Sequence, residues 1–411
     1  MKICVLGLGY VGITSSLCFA KMGNQVWGVD LDSKKIKKLS ANEFYFPEKD
    51  LNELYNDDET QSNLFFLDSL SNIPNDIDIF LICVGTPSAQ DGSLSIKYLN
   101  SALEDVLSHL NHVDNTNHNI EIVVRSTILP GTLNSIIDRK NQEIPVNCEM
   151  LYHPEFLREG TSVYDFNNPP KIVIGMEDAS KITKLEELYK RIESKIFKTT
   201  VQNAECVKYL DNIFHALKVT FANEVGDYCS EKGLDASEIM SIFKSDTKLN
   251  ISEKYLNPGF AYGGSCLPKD LDAFLFDADG MNLNIKLISS IRESNNQRIL
   301  EQTEKISSMG FKHITFYGLA FKESTDDLRV SPYLLLAYGL AKKSHIVSYV
   351  DDGINIDDIF SELNRLNLNV EGISFNKIPS STQISSDDLV ICCHQKFSQR
   401  CVKFDSVIYL N

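Results

Sequence analysis

Short apolar segments alternate with stretches of mixed polarity along the first part of the chain, a pattern typical of alternating strands and helices. Apolar segments at 2–6 and 25–29 predict strands, and the segment 13–22 between them predicts a helix. Further strands are predicted over 77–84, 120–124 and, as the last of this sheet, 171–175. The expected fold class is α/β, with a doubly wound parallel sheet.

Residues 201–232 form one long helical pattern that ends at Gly233, as a helix followed by a C′ glycine would. Its apolar residues recur at intervals of three and four and predict one buried stripe, made of Val207, Leu210, Phe214, Leu217, Phe221, Val225 and Tyr228. A second stripe is polar, with Lys208, Asn212 and His215 on one face. This second stripe is either a solvated face or a functional one, and its apolar neighbours favour function.

The strand, glycine, helix and strand order of the N-terminus returns after Gly310. Strands are predicted over 313–317 and 345–350, with Gly318 after the first and Asp351 after the second. The last strands are predicted over 389–393 and 406–410. Because the glycine triplet of the first domain is missing, we expect a second α/β domain that does not bind a dinucleotide.

The first predicted strand leads directly into the motif Gly7-Leu-Gly9-Tyr-Val-Gly12, and the second strand ends at Asp30. Between strand and helix, such glycines allow a tight turn and close approach of a pyrophosphate to the helix N-terminus. Asp30 would bind ribose hydroxyls and repel a 2′-phosphate, so the expected cofactor is NAD. Lys35 belongs to a solvated helix face or lies along the adenosine.

Polar residues also follow the predicted strands at 77–84 and 120–124. Thr86 and Thr127 stand where ligands of open α/β sheets bind, although each could instead cap the next helix. The segment 153–160 holds Glu155 and Glu159 beside an arginine and a glycine, which is more typical of a substrate loop than of a surface turn.

Residues 259–270, Gly-Phe-Ala-Tyr-Gly-Gly-Ser-Cys-Leu-Pro-Lys-Asp, place Cys266 among glycines, Lys269 and Asp270. A thiol beside a cation becomes a nucleophilic thiolate, whereas a lone cysteine in a loop is more often inert. A nucleophilic cysteine is useful when an aldehyde must be oxidised further through a thioester. Lys208 and Asn212 would then stabilise oxyanions, by about 3–4 kcal/mol for each well-placed donor.

Composition narrows the classes of function. The 411 residues carry a net charge of -16 without a basic stretch, which argues against nucleic-acid binding. No apolar run reaches the length of a membrane span, and the glycines of the N-terminal run argue against a signal peptide. Ten cysteines without framework spacing predict a reducing cytoplasm, and no cluster has metal-ligand spacing.

The chain resembles the UDP-glucose/GDP-mannose 6-dehydrogenase family through a set of motifs, which are GLGYVG at 7–12, VGTP at 84–87, RSTILPGT at 125–132, HPEFLREGT at 153–161, KYLDNIFHALKVTFANE at 208–224, GFAYGGSCLPKD at 259–270 and GLAFKESTDDLRVSP at 318–332. This resemblance implies oxidation of a hexose C6 alcohol to a carboxylate with two NAD per turnover. It also implies two Rossmann-like domains joined by a long central helix and a helical dimerisation region. The implied organisation is an NAD-binding domain at 1–200, a central region with the cysteine loop at 201–309 and a sugar-nucleotide-binding domain at 310–411.

The resemblance assigns roles residue by residue. The implied catalytic residues are Cys266 as nucleophile, Lys208, Asn212 and Asp270 as its support, and Glu155 and Thr127 for the proton or the hydrolytic water. The implied NAD contacts are Gly7, Gly9, Tyr10, Val11, Gly12, Asp30, Lys35, Thr86, Thr127, Lys269 and Arg329. The implied contacts with the nucleotide sugar are Phe156, Leu157, Arg158, Glu159, Lys208, Asn212, His215, Asn223, Tyr255, Asn257, Gly259 and Lys322.

Within the family, His215 and the Lys248-Leu249-Asn250 segment resemble the GDP-mannose branch, so we expect GDP-mannose as substrate and a homodimer or higher oligomer. Asn257 stands where that branch has an arginine, and Lys254 where it has an aromatic residue. UDP-glucose or a UDP-N-acetylhexosamine is therefore the alternative substrate. Two other classes share the glycine motif: a single-step 3-hydroxyacid or 6-phosphogluconate type dehydrogenase, and a non-catalytic NAD-binding regulator.

Overall fold

The structure is a computed structural model that describes residues 1–44, 48, 50–88, 93–112, 119–256, 259–264, 266–323 and 325–410. The chain divides into two compact units, Met1–His215 and Ala216–Asn411.

A doubly wound sheet organises the first unit. Its strands among the described residues are β1 (Lys2–Leu6), β2 (Gln25–Val29), β3 (Leu64–Leu67), β4 (Ile79–Ile82), β5 (Ile120–Val124), β6 (Cys148–Tyr152), β7 (Ile172–Gly175) and β8 (Ile196–Thr199). The order across the sheet is β3-β2-β1-β4-β5-β6-β7-β8, and neighbours are parallel except β6 and β7. Because the chain turns back between β1 and β4, a crevice is expected at their carboxyl ends.

Helices cover both faces of this sheet. They are α1 (Tyr10–Lys21), α2 (Ser33–Ser40), α3 (Leu51–Tyr55), α4 (Asp58–Asn63), α5 (Lys97–His112), α6 (Thr132–Lys140), α7 (Ser162–Asn167) and α8 (Lys184–Leu188), followed by the start of α9 (Val201–Lys232). Two separate apolar cores result: α1, α7 and α8 pack on one face, and α5 and α6 pack on the other. The fully buried strand β4, Ile-Phe-Leu-Ile, is a continuous apolar run for this reason.

The second unit contains a smaller parallel sheet and more helices. The strands are β9 (His313–Tyr317), β10 (Ile346–Val350), β11 (Phe375–Lys377), β12 (Leu389–Cys392) and β13 (Val407–Tyr409), in the order β11-β10-β9-β12-β13. The helices are α10 (Ala236–Ser245), α11 (Leu267–Gly280), α12 (Lys286–Ser307), α13 (Pro332–Lys342), α14 (Ile356–Arg365) and α15 (Ser398–Cys401). Two Rossmann-like sheets and a long helix confirm the predicted fold class.

The turn after β9 repeats the turn after β1. Gly7 and Gly318 have φ values of +87° and +93°, which favour glycine. In each turn the next backbone N–H donates to the acidic residue after the neighbouring strand, at 2.9 Å to Asp30 and 3.1 Å to Asp351. However, α1 begins immediately at Tyr10, whereas α13 begins only at Pro332. The second turn therefore has no helix N-terminus directly after it to receive a pyrophosphate.

Two expectations for the strands were wrong. Residues 171–175 do not hold the last strand of the first sheet, because β8 follows and pairs with β7. Strands β3, β6 and β11 were not predicted. Short strands at a sheet edge, such as β3, bury only part of their side chains, so their apolar pattern is weak.

The long helix begins and ends where the sequence predicts, but its apolar stripe is not buried along its whole length. Leu210, Phe214 and Leu217 are 57%, 40% and 43% exposed in the chain. Periodicity reports which face of a helix is apolar and not which element covers that face. The prediction of a continuous buried stripe is therefore wrong for the middle of α9.

None of the helices in the described part of the chain combines the length and apolar character that crossing a membrane requires. Across the described residues, which include all ten cysteines, no disulfide is formed. Nowhere in the described part of the chain do three or more histidine, cysteine or acidic side chains come together so that they could hold a metal ion.

Candidate active site

A cleft of about 1040 Å³ opens at the carboxyl ends of β1, β2 and β4 in the first unit. Its lining includes Gly7, Gly9, Asp30, Lys35 and Val84. The crevice expected where the strand order reverses is thus present and is large enough for an elongated nucleotide ligand.

The three glycines of the 7–12 motif have different functions in the turn. A Cβ on Gly7 would lie 2.9 Å from backbone atoms of Val84, and one on Gly12 would lie 2.0 Å from the carbonyl oxygen of Gly7. These two glycines therefore permit close packing of strand, turn and helix. Gly9 caps α1 and faces open space, with no atom within 4 Å of its would-be Cβ. This arrangement fits a pyrophosphate held at the N-terminus of α1.

Asp30 is held at the edge of the cleft. Its carboxylate accepts hydrogen bonds from the backbone N–H groups of Leu8 at 2.9 Å and Asp32 at 3.0 Å. The Lys35 ammonium group lies 3.2 Å from the same carboxylate. Lys35 thus lies beside Asp30 in the lining of the cleft, at the end that the motif assigns to the adenosine ribose.

The polar turns after β4 and β5 are in contact with each other. The hydroxyl of Thr86 donates to the carbonyl of Thr127 at 2.7 Å, and both threonines are half-buried.

At the start of α1, the Tyr10 hydroxyl donates to the carbonyl of Leu157 at 2.5 Å, and Val11 packs against the apolar core. Burial, followed by the charge of nearby glutamates, raises the pKa of Tyr10. The predicted cofactor turn and the predicted substrate loop are therefore in direct contact.

Glu155 and Lys208 form an ion pair within the first unit, with an Oε1–Nζ distance of 2.9 Å. Both side chains are nearly buried, at 12% and 9% exposed, and the other oxygen of Glu155 accepts the N–H of Leu157 at 2.7 Å. In such surroundings an ion pair is far less screened than on the surface. The structure thus brings together two residues that are separated by 53 positions in the sequence and that carry the predicted chemistry.

Sequence reasoning missed a second ion pair beside the first. Lys171, just before β7, lies 2.7 Å from Asp211 on α9. The Lys171 and Lys208 ammonium groups are 4.6 Å and 5.7 Å from the centroid of the Phe156 ring. Lys171 lies outside the sequence motifs, and Asp211 lies within the 208–224 motif but was assigned no role there, so only tertiary contact reveals their pairing.

The rest of the predicted substrate loop is held by carboxylates. The Arg158 side chain donates twice to Asp165, at 3.0 Å and 2.6 Å, while Glu159 is exposed. Glu48 accepts the backbone N–H groups of Gly160 at 2.7 Å and of Ser162 at 2.9 Å. Asp165 and Glu48 were missed because they act from outside the loop's own motif.

A cluster of buried polar side chains, His153, Tyr189 and Arg125, stabilises the predicted substrate loop at its start. His153 Nε2 lies 2.8 Å from the Tyr189 hydroxyl, which also accepts a hydrogen bond from Arg125 at 3.2 Å. Burial, reinforced by the Arg125 charge, lowers the pKa of His153 well below its ordinary value. The imidazole is therefore neutral at physiological pH, and its Nδ1 lies 2.8 Å from the carbonyl oxygen of Val173 in β7.

In the second unit, Cys266 is exposed and lies at the N-cap of α11. Gly264 has a φ of +92° and donates its N–H to the carbonyl of Arg329 at 3.0 Å. A Cβ on Gly263 would lie 2.2 Å from the carbonyl oxygen of Val330. The glycine pair therefore packs the cysteine loop against residues 327–332, which explains both glycines without a ligand.

A cation stands near the cysteine. Hydrogen bonds to Asp327 raise the pKa of Arg329, and the Cys266 sulfur adds a smaller electrostatic contribution. Lys269 and Asp270 are both exposed and form an ion pair at 3.2 Å. Cys266 thus lies at a helix N-terminus, with the Arg329 guanidinium close enough to interact with it electrostatically.

Most of the remaining predicted contacts are exposed side chains. Asn212, His215, Asn223 and Lys322 are exposed, and Tyr255 is 85% exposed with a φ of +63°. The Gly259 carbonyl accepts a hydrogen bond from Arg298. Asn257 lies outside the described residues.

The glycine turn, the open N-terminus of α1 and the acidic residue after the second strand are the features of a dinucleotide-binding domain. Comparison with known proteins gives the family. Residues 1–193 match the NAD binding domain of the UDP-glucose/GDP-mannose dehydrogenase family, and residues 202–297 match the central domain of that family. The chain belongs to the UDP-glucose/GDP-mannose dehydrogenase family, whose members are NAD-dependent nucleotide-sugar dehydrogenases.

Individual relatives agree with this assignment. A GDP-mannose 6-dehydrogenase of Pseudomonas aeruginosa is 35% identical over 359 residues, covering 86% of this chain and 82% of the relative. A UDP-glucose 6-dehydrogenase of Bacillus subtilis is 32% identical over 348 residues, covering 83% and 77%. Among solved structures, a ternary complex of GDP-mannose dehydrogenase from Pseudomonas aeruginosa has a TM-score of 0.87 at 31% identity, covering 100% of this chain and 96% of that one. The enzyme class and the cofactor predicted from the sequence are confirmed.

Proposed function

We propose that this enzyme oxidises the C6 alcohol of GDP-mannose to the carboxylate of GDP-mannuronate, in a four-electron reaction with two NAD. The observation that carries the choice of sugar nucleotide is the set of branch-specific residues, His215 and Lys248-Leu249-Asn250. The relatives support it: the structure resembles the GDP-mannose dehydrogenase with a TM-score of 0.87, against 0.57 for a UDP-glucose dehydrogenase of Pyrobaculum islandicum.

The cleft of the first unit fits NAD. Gly7 and Gly12 allow strand, turn and helix to pack closely, and Gly9 leaves open space at the N-terminus of α1 for the pyrophosphate. Bound there, NAD supplies the hydride acceptor for both oxidations. Asp30 would bind the ribose hydroxyls. We assign further contacts to Tyr10, Val11, Lys35, Thr86, Thr127, Lys269 and Arg329.

Cys266 is assigned as the nucleophile. The first oxidation leaves an aldehyde at C6, and addition of the thiolate forms a C–S bond and an oxyanion. Loss of a second hydride converts this adduct to a thioester. Attack by water then breaks the C–S bond, releases the carboxylate and returns the thiolate. The overall reaction consumes one water and two NAD and yields two NADH, the carboxylate and three protons.

Lys208 and Asn212 are assigned to stabilise the oxyanions, because both are hydrogen-bond donors on one face of α9. Glu155 is assigned with Thr127 to the proton or the hydrolytic water, and Asp270 to support of the cysteine. The Glu155–Lys208 pair at 2.9 Å holds both side chains in position before substrate arrives. The residues proposed to hold the nucleotide sugar are Phe156, Leu157, Arg158, Glu159, His215, Asn223, Tyr255, Asn257, Gly259 and Lys322.

Parallel assays of NADH yield test the assignment. Purified enzyme would be given limiting GDP-mannose, UDP-glucose or UDP-N-acetylmannosamine with excess NAD. We expect two NADH for each GDP-mannose and a kcat/KM that exceeds the value for UDP-glucose by about 10²-fold, since sites that hydrogen-bond one group reject analogues lacking it. If UDP-glucose is turned over and GDP-mannose is not, the substrate proposal is wrong and Asn257 was the better indicator.

We further propose that the enzyme is a homodimer or a higher oligomer. Leu210, Ile213, Phe214 and Leu217, which share one face in the middle of α9, are 40–60% exposed, so an apolar stripe is exposed in the single chain. Light scattering should give at least twice the 46.3 kDa monomer mass, and Leu217→Glu should reduce it. Val146→Glu, at a fully exposed position, is the control. A monomeric wild-type chain would contradict the proposal.

The domain organisation follows the same reasoning. We propose that residues 1–200 bind NAD, that 201–309 provide the dimerisation region and the cysteine loop, and that 310–411 bind the sugar nucleotide. Ten cysteines that form no disulfide within the described residues would suit a reducing cytoplasm, where we expect the enzyme to act.

A further inference from the structure

Two ion pairs lie side by side along the N-terminal half of α9. Lys208 pairs with Glu155 at 2.9 Å, and Asp211 pairs with Lys171 at 2.7 Å. Lys208 and Asp211 are three residues apart, so their side chains are neighbours on the helix surface. Opposite charges at this spacing pair readily within a helix, and yet each of these residues is bonded to a different partner outside it.

Lys208 therefore has two carboxylates within reach. Glu155 approaches from the loop after β6, and Asp211 stands one helical turn away on the same helix. The Lys208 and Glu155 side chains are 9% and 12% exposed, whereas those of Lys171 and Asp211 are 27% and 28% exposed. If Lys171 were removed, Asp211 would lose its ion-pair partner. Lys208, on the same helix, would then be the nearest cation with which Asp211 could pair.

The ring of Phe156 links the two pairs. Lys171 Nζ lies 4.6 Å and Lys208 Nζ 5.7 Å from the ring centroid. Phe156 follows Glu155 directly, so the same loop positions the carboxylate and the ring. Lys171 is anchored at the start of β7, a buried strand, and so holds its charge near Asp211.

We propose that Lys171 is a positioning residue that occupies Asp211 and thereby keeps Lys208 on Glu155. This inference rests on the catalytic role proposed above for Lys208. It assigns to Lys171 no contact with substrate or cofactor. Lys171 acts only by occupying Asp211, the carboxylate that would otherwise compete for Lys208. A second substitution, at Asp211, should therefore reverse the effect of losing Lys171.

The test compares kcat for three variants of the full-length enzyme with the wild type. Lys171→Met removes the charge but retains an unbranched side chain, and kcat should fall at least about tenfold because Lys208 is drawn towards Asp211. Asp211→Asn alone should stay within about threefold of the wild type, since the Lys208–Glu155 pair is unchanged. The double variant should recover to within about threefold of the wild type, because no competing carboxylate remains.

Controls separate this inference from a general loss of stability. Lys198→Met removes a lysine from another ion pair of the first unit, in which Lys198 and Glu186 are 24% and 25% exposed, and kcat should not change. Lys171→Arg keeps a cation and should retain kcat. If Lys171→Met does not fold, Lys171→Gln replaces it in the same comparison.

Recovery of kcat in the double variant is the result that a purely structural role for Lys171 would not give. A double variant no better than Lys171→Met, or a Lys171→Met enzyme with wild-type kcat, overturns the inference. Lys208→Met tests the proposed function separately. If Lys208→Met retains kcat, the catalytic role of Lys208 is wrong. If it loses kcat while Lys171→Met does not, only the inference fails.

Discussion

Replacement of Glu205 by glutamine should uncouple α9 from the loop that carries Thr127. Glu205 is fully buried, and its two oxygens accept the backbone N–H groups of Gly131 at 2.5 Å and Leu133 at 2.9 Å. It thereby caps the start of α6 from α9, three residues before Lys208. A glutamine has one carbonyl oxygen, so one N–H would face the amide NH₂ group instead.

The expected loss of stability is about 2–3 kcal/mol. A hydrogen bond to a charged group contributes about 1.5–3 kcal/mol, and a buried donor left without an acceptor costs about 1–3 kcal/mol. Burial raises the pKa of Glu205, while the two N–H groups oppose that rise, so part of the gain from these bonds is offset by desolvation in the native enzyme. For a unit of this size, such a loss lowers Tm by about 5–10 °C.

The assay measures Tm and kcat together, with a matched control. Glu121 is also buried and accepts two N–H groups, those of Lys184 at 2.6 Å and Leu185 at 2.8 Å, at the start of α8. Glu121→Gln should lower Tm by a similar amount and leave kcat unchanged. Glu205→Gln should lower kcat about tenfold at a temperature where both variants are folded, because small misplacements of catalytic groups are costly.

Two results would refute the reasoning. An unchanged Tm for Glu205→Gln would show that the cap contributes little. An equal loss of kcat in both variants would show that the effect on kcat follows general destabilisation rather than the position of Thr127 and Lys208.

Three further outcomes are expected. Cys266→Ser should abolish carboxylate production and leave NAD binding, measured by calorimetry, intact; full production by the serine variant would exclude the thioester route. In steady-state assays, kcat/KM with NADP should be at least about tenfold lower than with NAD, because Asp30 would face the 2′-phosphate at a cost above about 1.4 kcal/mol. Equal kcat/KM values for the two cofactors would refute this. Burial raises the pKa of Asp165, but hydrogen bonds from Arg158 and others outweigh it and hold that pKa below its ordinary value. This carboxylate therefore adds stability above about pH 4, which is lost as the pH falls through its lowered pKa. Asp165→Asn should flatten the acid side of a urea-midpoint profile, and an unchanged profile would contradict that expectation.

Much of the site could be predicted because its parts are local. The turn at 7–12 depends on three glycines and on the strand and helix that flank them, all within one short segment. The long helix at 201–232 was predicted with the bounds that the structure has, since helical periodicity and a terminal glycine are properties of neighbouring residues. The family motifs are likewise contiguous, which is why they indicated the dehydrogenase class directly.

Only the tertiary structure decided which side chains meet. Glu155 and Lys208 pair because β6 and α9 are brought together by strand order, and no local pattern records that order. Lys171 and Asp211 were missed for the same reason.

The amino-acid sequence by itself therefore determined the class of fold and the cofactor and indicated the cysteine that is proposed as the nucleophile, since each depends on short segments whose chemistry is complete locally. Tertiary structure decided which charged side chains pair with one another and which apolar helix faces remain exposed to solvent. Coulombic and packing energies depend on distance and burial in space, and Leu217 shows this directly: its spacing marks it as part of an apolar stripe, yet it is 43% exposed in the chain.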